Sequence, residues 1–310
     1  MSDPLVIGVD GGGTSTEAWL ADAGGTVLGR GTAGPSNAKA VGDDRARRAL
    51  SEAIDSARAD AGIGDRPVAV ACLGLAGFDR PDDRARLASW CEQGGWAGRL
   101  VPANDGDLVL AAGTPEGFGI ALIAGTGSIA VGKAPGGRSA RAGGWGPLIG
   151  DEGSAYSVAL AGLRLVARRF DGRSDRPAED SLTGGLCEAL GVPSPGEIVS
   201  VLYGPAWDRA RIAGLARIVV ACADGDIEVR DHIFGPAAEE LADLVVAVRE
   251  STGWDDAPNP PPLAVAGGFL LAAEGLRVEV LKLLGDWIGP VGLVEEPVAG
   301  AVMLARRALG

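Results

Sequence analysis

The stretch Leu5-Val6-Ile7-Gly8-Val9-Asp10-Gly11-Gly12-Gly13-Thr14 decides how this chain is read. Leu5–Val9 is a short apolar run of the kind that forms a buried strand, and Asp10 with three glycines closes it. The residues after the glycines matter as much. Thr14–Ala21 carries Thr, Ser and Trp, which favour extended backbone, so the turn leads from one strand into another. A loop of the Gly-x4-Gly-Lys-Ser/Thr kind needs a lysine, and none comes after Gly13. A dinucleotide-binding glycine loop opens a helix, which this sequence does not favour. Glycine lets backbone N–H groups approach an oxyanion with no Cβ between them, so the arrangement predicts a hairpin phosphate clamp.

Outward from that turn, Asp22-Ala23-Gly24-Gly25 leads into a third extended run, Thr26–Thr32. A helix is expected from Asp43 to Ala61, a buried strand over Val68–Leu73 and a helix over Pro81–Glu92. A strand at Leu100–Ala103 and a helix after Asp105 complete the unit. The same order then recurs. Gly119–Ala124 is a strand ending in Gly125-Thr126-Gly127-Ser128, Ile129–Lys133 pairs back on it, and Arg138–Gly143 supplies a third. Helices dominate Ser154–Ser251, where Leu241, Leu244, Val245 and Val248 fall on one buried stripe. Strand Leu263–Ala266 runs into Gly267-Gly268, Val291–Val294 is the last strand, and Ala299–Leu309 closes the chain as a helix. Ala257–Pro262, with four prolines in six residues, reads as a rigid loop. The repeated order predicts duplicated α/β domains facing a cleft. The first takes residues 1–115, with the helix 297–310 packing back on it, and the second residues 116–296.

A chain of 310 residues is long enough for two domains of ordinary size. Its net charge of −13, from 41 acidic and 28 basic residues, disfavours nucleic acid and anionic lipid as partners. It does not exclude ATP, because backbone N–H groups and Mg²⁺ can neutralise phosphates. No apolar stretch approaches the ~18 residues of a membrane span, and no basic leader precedes Leu5, so a soluble cytoplasmic protein is expected. Cys72, Cys91, Cys187 and Cys222 lack metal-ligand spacing, and His232 is the single histidine. Four reduced, mostly buried thiols are expected.

LVIGVDGGGTST (residues 5–16) resembles the first phosphate motif of the sugar kinase, heat-shock ATPase and actin superfamily. IALIAGTGSIAVG (120–132) resembles its second phosphate motif, and LAVAGGFLL (263–271) its adenosine motif. GGWGPLIGDEGSAYSVAL (143–160) is similar to the BadF/BadG/BcrA/BcrD ATPase branch that includes N-acetylglucosamine kinases. The resemblance spans nearly the whole chain. It implies an α/β fold of duplicated actin-like (ribonuclease H-like) domains around a central nucleotide and sugar cleft. It also implies ATP-dependent phosphorylation of an amino sugar, N-acetylglucosamine first, with glucosamine, N-acetylmuramic acid and glucose behind it. Two lobes would close on their substrates and exclude water. A homodimer, common in that branch, rests on the resemblance alone.

The same resemblance distributes roles. Asp10 holds Mg²⁺, through water. The backbone of Gly11, Gly12, Gly13 and Thr14, with that of Gly125, Thr126 and Gly127, cradles the phosphates. Asp105 is the general base toward the sugar hydroxyl; the alternative is an ordinary helix N-cap, and Asp107 is a near rival. Asn37, Ser128, Ile129, Gly144, Trp145, Gly146 and Asp151 line the sugar pocket, with Trp145 equally readable as a core anchor. Glu152 reads as a helix-start residue. Gly267 and Gly268 pack against adenosine, Cys222 flanks the base, and Ala272 stands where the family has a serine.

Rival functions are disfavoured on specific grounds. An activator of radical dehydratases shares an iron–sulfur cluster across a dimer and needs thiolates at that boundary. No cysteine lies between Cys91 and Cys187 or beside a motif that would place it there. A kinase-like transcriptional regulator would carry a helix-turn-helix ahead of the first strand, where four residues precede Leu5. A non-catalytic actin-like scaffold would have no use for Asn37, Asp105 and Asp151 together.

Overall fold

Strand β1 (Leu5–Gly11) shows why the chain forms layers. Alternate side chains leave a strand on opposite faces. Leu5, Ile7 and Val9 join one buried cluster with Leu50, Ile54 and Leu87, whereas Val6 joins a second with Leu108, Val298 and Val302. Both faces are therefore covered, which explains the near-continuous apolar run. The computed structural model describes residues 3–75, 81–174, 180–254 and 259–310, without the side chain of Pro81. Ala257 and Pro258 of the proline-rich loop lie outside the described residues.

The chain divides into two units, Met1–Gly119 with Glu296–Gly310, and Ile120–Glu295. In the first unit, β1 leads to β2 (Thr16–Asp22), β3 (Val27–Ala33), α1 (Ala38–Val41), α2 (Asp43–Asp60) and β4 (Val70–Leu75). Then come α3 (Pro81–Gly94), β5 (Arg99–Ala103) and α4 (Asp105–Gly113). The sheet order is β3-β2-β1-β4-β5. β1, β2 and β3 are an antiparallel meander, and β4 and β5 run parallel to β1.

The second unit holds β6 (Gly119–Ala124), β7 (Ser128–Lys133) and β8 (Ser139–Gly143). A helical stretch comes next, with α5 (Ala155–Phe170), α6 (Ser181–Leu190), α7 (Ile198–Leu202), α8 (Arg209–Ala213), α9 (Ala216–Ala221), α10 (Ile227–Val229) and α11 (Gly235–Thr252). The unit ends with β9 (Leu263–Ala266), α12 (Gly268–Ala272), α13 (Glu274–Leu284) and β10 (Val291–Val294). Its sheet reads β8-β7-β6-β9-β10, the first unit's order with each strand replaced by its counterpart. The fold is thus the expected duplicated α/β architecture. Leu241, Val245 and Val248 of α11 are fully covered, with Leu244 packed at the rim of the same core.

The last helix, α14 (Val298–Arg307), belongs to the first unit, where it lies on β1 and α4. Two glycines permit that approach. A Cβ on Gly8 would stand 2.5 Å from the Val302 nitrogen, and one on Gly300 would stand 1.9 Å from the Leu108 carbonyl oxygen.

Several expected boundaries shift. The second strand begins at Thr16, because Gly12 N–H donates to the Ser15 carbonyl at 2.9 Å and closes the turn first. The fourth strand covers Val70–Leu75, carried to Leu75 by its pairing with Gly11. Glu152 does not start a helix: Ser154 caps α5, and its hydroxyl accepts the Ser157 N–H at 3.2 Å.

Candidate active site

In the first unit the central strand delivers Asp10 to its C-terminal end. The hairpin register sets Glu17 of β2 directly opposite Asp10. Burial, the charge of Asp105 and the charge of Glu17, in that order, push the Asp10 carboxyl up to about 6. The turn itself is open. A Cβ on Gly13 would meet nothing within 4 Å, and Gly13 and Thr14 are exposed. Gly11 is different: a Cβ there would stand 2.3 Å from Ser36 Oγ and from Leu75 Cδ2. The Gly12 carbonyl accepts Ser36 N–H at 3.1 Å and Asn37 N–H at 3.2 Å, so Asn37 is tied to the first turn. Its side chain caps α1, with Oδ1 accepting the Lys39 N–H at 3.1 Å.

Asp105 is the first residue of α4, and the cap belongs to its neighbours. Asn104 Oδ1 accepts the Asp107 N–H at 2.8 Å, and Asp107 Oδ2 accepts the Asn104 N–H at 3.3 Å. That reciprocal pair occupies the rival Asp107 in the turn. Asp105 is relieved of capping and bonds the adjacent Gly106 N–H at 3.0 Å. The amino end of α4 favours its negative charge.

The second unit repeats the clamp. Gly125 N–H donates to the Gly127 carbonyl at 2.9 Å, and the Gly125 carbonyl accepts Ala155 N–H at the start of α5 at 2.9 Å. A Cβ on Gly125 would enter open space, and Thr126 is exposed. Ser128 is buried and its hydroxyl is spent internally, donating to the Glu152 carbonyl at 2.6 Å. Its N–H reaches Asp151 Oδ1 at 3.4 Å. Asp151 is 4% exposed, sits in the left-handed region at φ 62°, and pairs through Oδ2 with Arg209. Gly144 N–H donates to the Ser128 carbonyl at 2.9 Å, and a Cβ on Gly144 would stand 2.8 Å from Ile129 Cδ1.

Trp145 is no core anchor. It is 64% exposed, stands between Gly144 and Gly146, and has the Arg141 guanidinium 5.4 Å from its ring. Both glycines carry positive φ, 69° and 84°, which turns the indole outward.

Gly267 packs under the second clamp: with φ 95°, a Cβ there would stand 2.3 Å from the Ala124 carbonyl oxygen. Gly268 opens α12 with open space at its Cβ position, and Ala272 ends that helix, exposed. Cys222 caps the end of α9 with its sulfur 3.8 Å from Ser181 Oγ. No contact described for Cys222 or Ala272 joins them to the clamp residues.

Two participants escape sequence reading. Glu17 is recoverable in principle, since a four-residue turn over Gly12–Ser15 forces Asp10 opposite it. Arg209, in Trp207-Asp208-Arg209-Ala210, carries no local signal.

Phosphate and metal both fit these residues. The open Cβ positions of Gly13 and Gly125 are what an oxyanion cradle needs. Among the described residues no group of three or more His, Cys, Asp or Glu could hold a metal ion. Mg²⁺ is usually held by one or two carboxylates plus phosphates and waters, and the half-buried Asp10 with the charge of Asp105 beside it suits that arrangement.

Residues 7–305 match the BadF/BadG/BcrA/BcrD ATPase family. An N-acetylmuramic acid/N-acetylglucosamine kinase of Clostridium acetobutylicum is 32% identical over 305 residues, covering 97% of this chain and 98% of its own. An N-acetyl-D-glucosamine kinase of Dictyostelium discoideum is 34% identical, covering 98% of each chain. A solved structure from Chromobacterium violaceum, described as a candidate N-acetylglucosamine kinase, superposes with a TM-score of 0.77 at 28% identity. It covers 98% of this chain and 100% of its own. The chain belongs to the BadF/BadG/BcrA/BcrD ATPase family.

Proposed function

We propose that the chain is an ATP-dependent amino sugar kinase of the cytoplasm, transferring the γ-phosphoryl group to the 6-hydroxyl of N-acetylglucosamine. The observation that carries this reading is Asp105, at the amino end of α4, whose capping work is done by Asn104 and Asp107 and whose charge is felt by Asp10. The names of two full-length relatives support the sugar class.

Phosphoryl transfer to an alcohol asks for positioning, charge neutralisation and a base. Asp105 accepts the hydroxyl proton as the oxygen attacks. The N–H groups of Gly13 and Thr14 and those of Thr126 and Gly127 hold the phosphate oxygens, with the two threonine hydroxyls assisting. Asp10 is the residue that would hold Mg²⁺, which when bound neutralises charge on the phosphates. Asn37, Trp145 and Asp151 orient the sugar. On the nucleotide side Gly267 and Gly268 lie against adenosine, Cys222 flanks it, and Ala272 offers a methyl group where a serine would donate a hydrogen bond.

N-acetylmuramic acid is a second substrate reading, favoured by the Clostridium relative. A coupled assay of ADP release with Mg·ATP across N-acetylglucosamine, N-acetylmuramic acid, glucosamine and glucose tests the proposal. Turnover is expected with N-acetylglucosamine; none on any amino sugar overturns it.

A further inference from the structure

Arg209 is the first residue of the short helix α8, which packs along α5. Its Nη2 pairs with Asp151 Oδ2 and donates to the Thr126 carbonyl at 3.3 Å. Its guanidinium lies 5.7 Å from the centre of the Tyr156 ring, on the first turn of α5. One cation thus touches the sugar-side carboxylate and the backbone of the second phosphate turn.

The neighbourhood is built around that contact. Asp151 is 4% exposed and in a backbone conformation that a non-glycine residue adopts at a cost. A buried carboxylate in such a position needs a partner. A Cβ on Gly127 would stand 2.9 Å from Asp151 Oδ2 and 3.0 Å from Arg209 Nη2, so the glycine of the turn leaves room for the pair. With Oδ2 engaged and Oδ1 holding only a 3.4 Å bond from Ser128 N–H, Asp151 retains acceptor capacity toward a hydroxyl.

We propose that Arg209 is a positioning residue: it aims Asp151 at the sugar and fastens it to the Thr126 carbonyl, so that the sugar carboxylate and the second phosphate turn are held as one piece. Its consequences for sugar binding rest on the kinase reading; the fastening itself does not.

The test has a ligand-free part and a kinetic part. In ligand-free Arg209→Met, amide hydrogen exchange at Gly125, Ser128, Gly144 and Ser154 is expected to quicken at least ~10-fold, with the interior of β6 and α5 unchanged. In kinetics, Arg209→Met is expected to raise KM for N-acetylglucosamine at least ~10-fold. Combined with Asp151→Asn it should add no further rise, because it acts through that carboxylate. Millimolar guanidinium should restore part of the loss in Arg209→Ala, since the site is open to solvent on one side. Unchanged exchange at the four amides, acceleration spread evenly through β6 and α5, or KM effects that multiply in the double variant each overturn the proposal. If the wild-type protein turns over no amino sugar, the kinase reading falls and the exchange result alone judges Arg209.

Discussion

Asp10 and Asp105 stand close enough that the charge of the second raises the proton affinity of the first, on top of the effect of burial. They come from different strands of one sheet: Asp10 from the end of β1, Asp105 from just beyond β5, with β4 between them. Glu17, opposite Asp10 on β2, adds its charge to that of Asp105 at the half-buried Asp10 carboxyl. A carboxyl perturbed in this way beside a second carboxylate marks a candidate functional site.

The first consequence concerns pH. The Asp10 carboxyl is raised from 3.8 to about 6 in the folded protein, so the native state holds a proton that the unfolded chain has lost. Between those values stability falls as pH rises, and above about 6 the penalty is fully present. The shift corresponds to an upper bound of about 3 kcal/mol. Asp10→Asn, measured with a chelator present, is therefore expected to melt higher than wild type at pH 8. The advantage should vanish toward pH 4, and catalysis should be lost. A lower melting temperature for the variant at pH 8 contradicts this account.

Trp145 separates sugar contact from core packing. An indole this exposed contributes little to stability, about 0.5 kcal/mol or less. Trp145→Ala should keep the wild-type melting temperature and raise KM for the sugar, with a smaller change in KM for ATP. A large fall in melting temperature shows that the indole is structural.

The docking of α14 depends on the absence of two methyl groups. Gly300→Ala would drive a Cβ into the Leu108 backbone carbonyl, which cannot move cheaply, and should cost about 1–3 kcal/mol or more. Gly136→Ala, with open space at the same atom, serves as the control and should be near neutral. Chemical denaturation of both variants checks the difference.

The thiols test the nucleotide side. Cys72, Cys91 and Cys187 are buried, and burial pushes the Cys72 thiol up to about 12. Cys222 is partly exposed. A thiol-specific reagent should modify Cys222 first in the native protein, and ATP should slow that reaction more than sugar does. Protection by sugar alone would move Cys222 away from the adenosine.

The duplicated fold was legible because its signals are local. The unbroken apolar run Leu5–Val9, the glycines after each first strand and the extended residues beyond them all act over a few positions. Strands Gly119–Ala124, Leu263–Ala266 and Val291–Val294 have the expected limits for that reason. Contacts made at a distance stayed hidden. Whether Asp105 or its neighbour caps α4 depends on a reciprocal bond that the string Asn104-Asp105-Gly106-Asp107 permits in more than one form. The outward turn of Trp145 comes from positive φ at both flanking glycines, and sequence does not state φ. The pairing of Arg209 with Asp151 joins residues 58 positions apart, and nothing near Arg209 announces it.

The central claim is that Asp105 takes a sugar proton while the clamp holds ATP. The direct measurement traces radiolabel from γ-³²P-labelled ATP into N-acetylglucosamine, with wild type and Asp105→Asn compared alongside ATP binding by calorimetry. Wild type should place the label on the sugar, and the variant should bind ATP normally while its rate falls by ~10²–10⁴. Label released only as inorganic phosphate, or a variant that labels the sugar at the wild-type rate, would contradict the account.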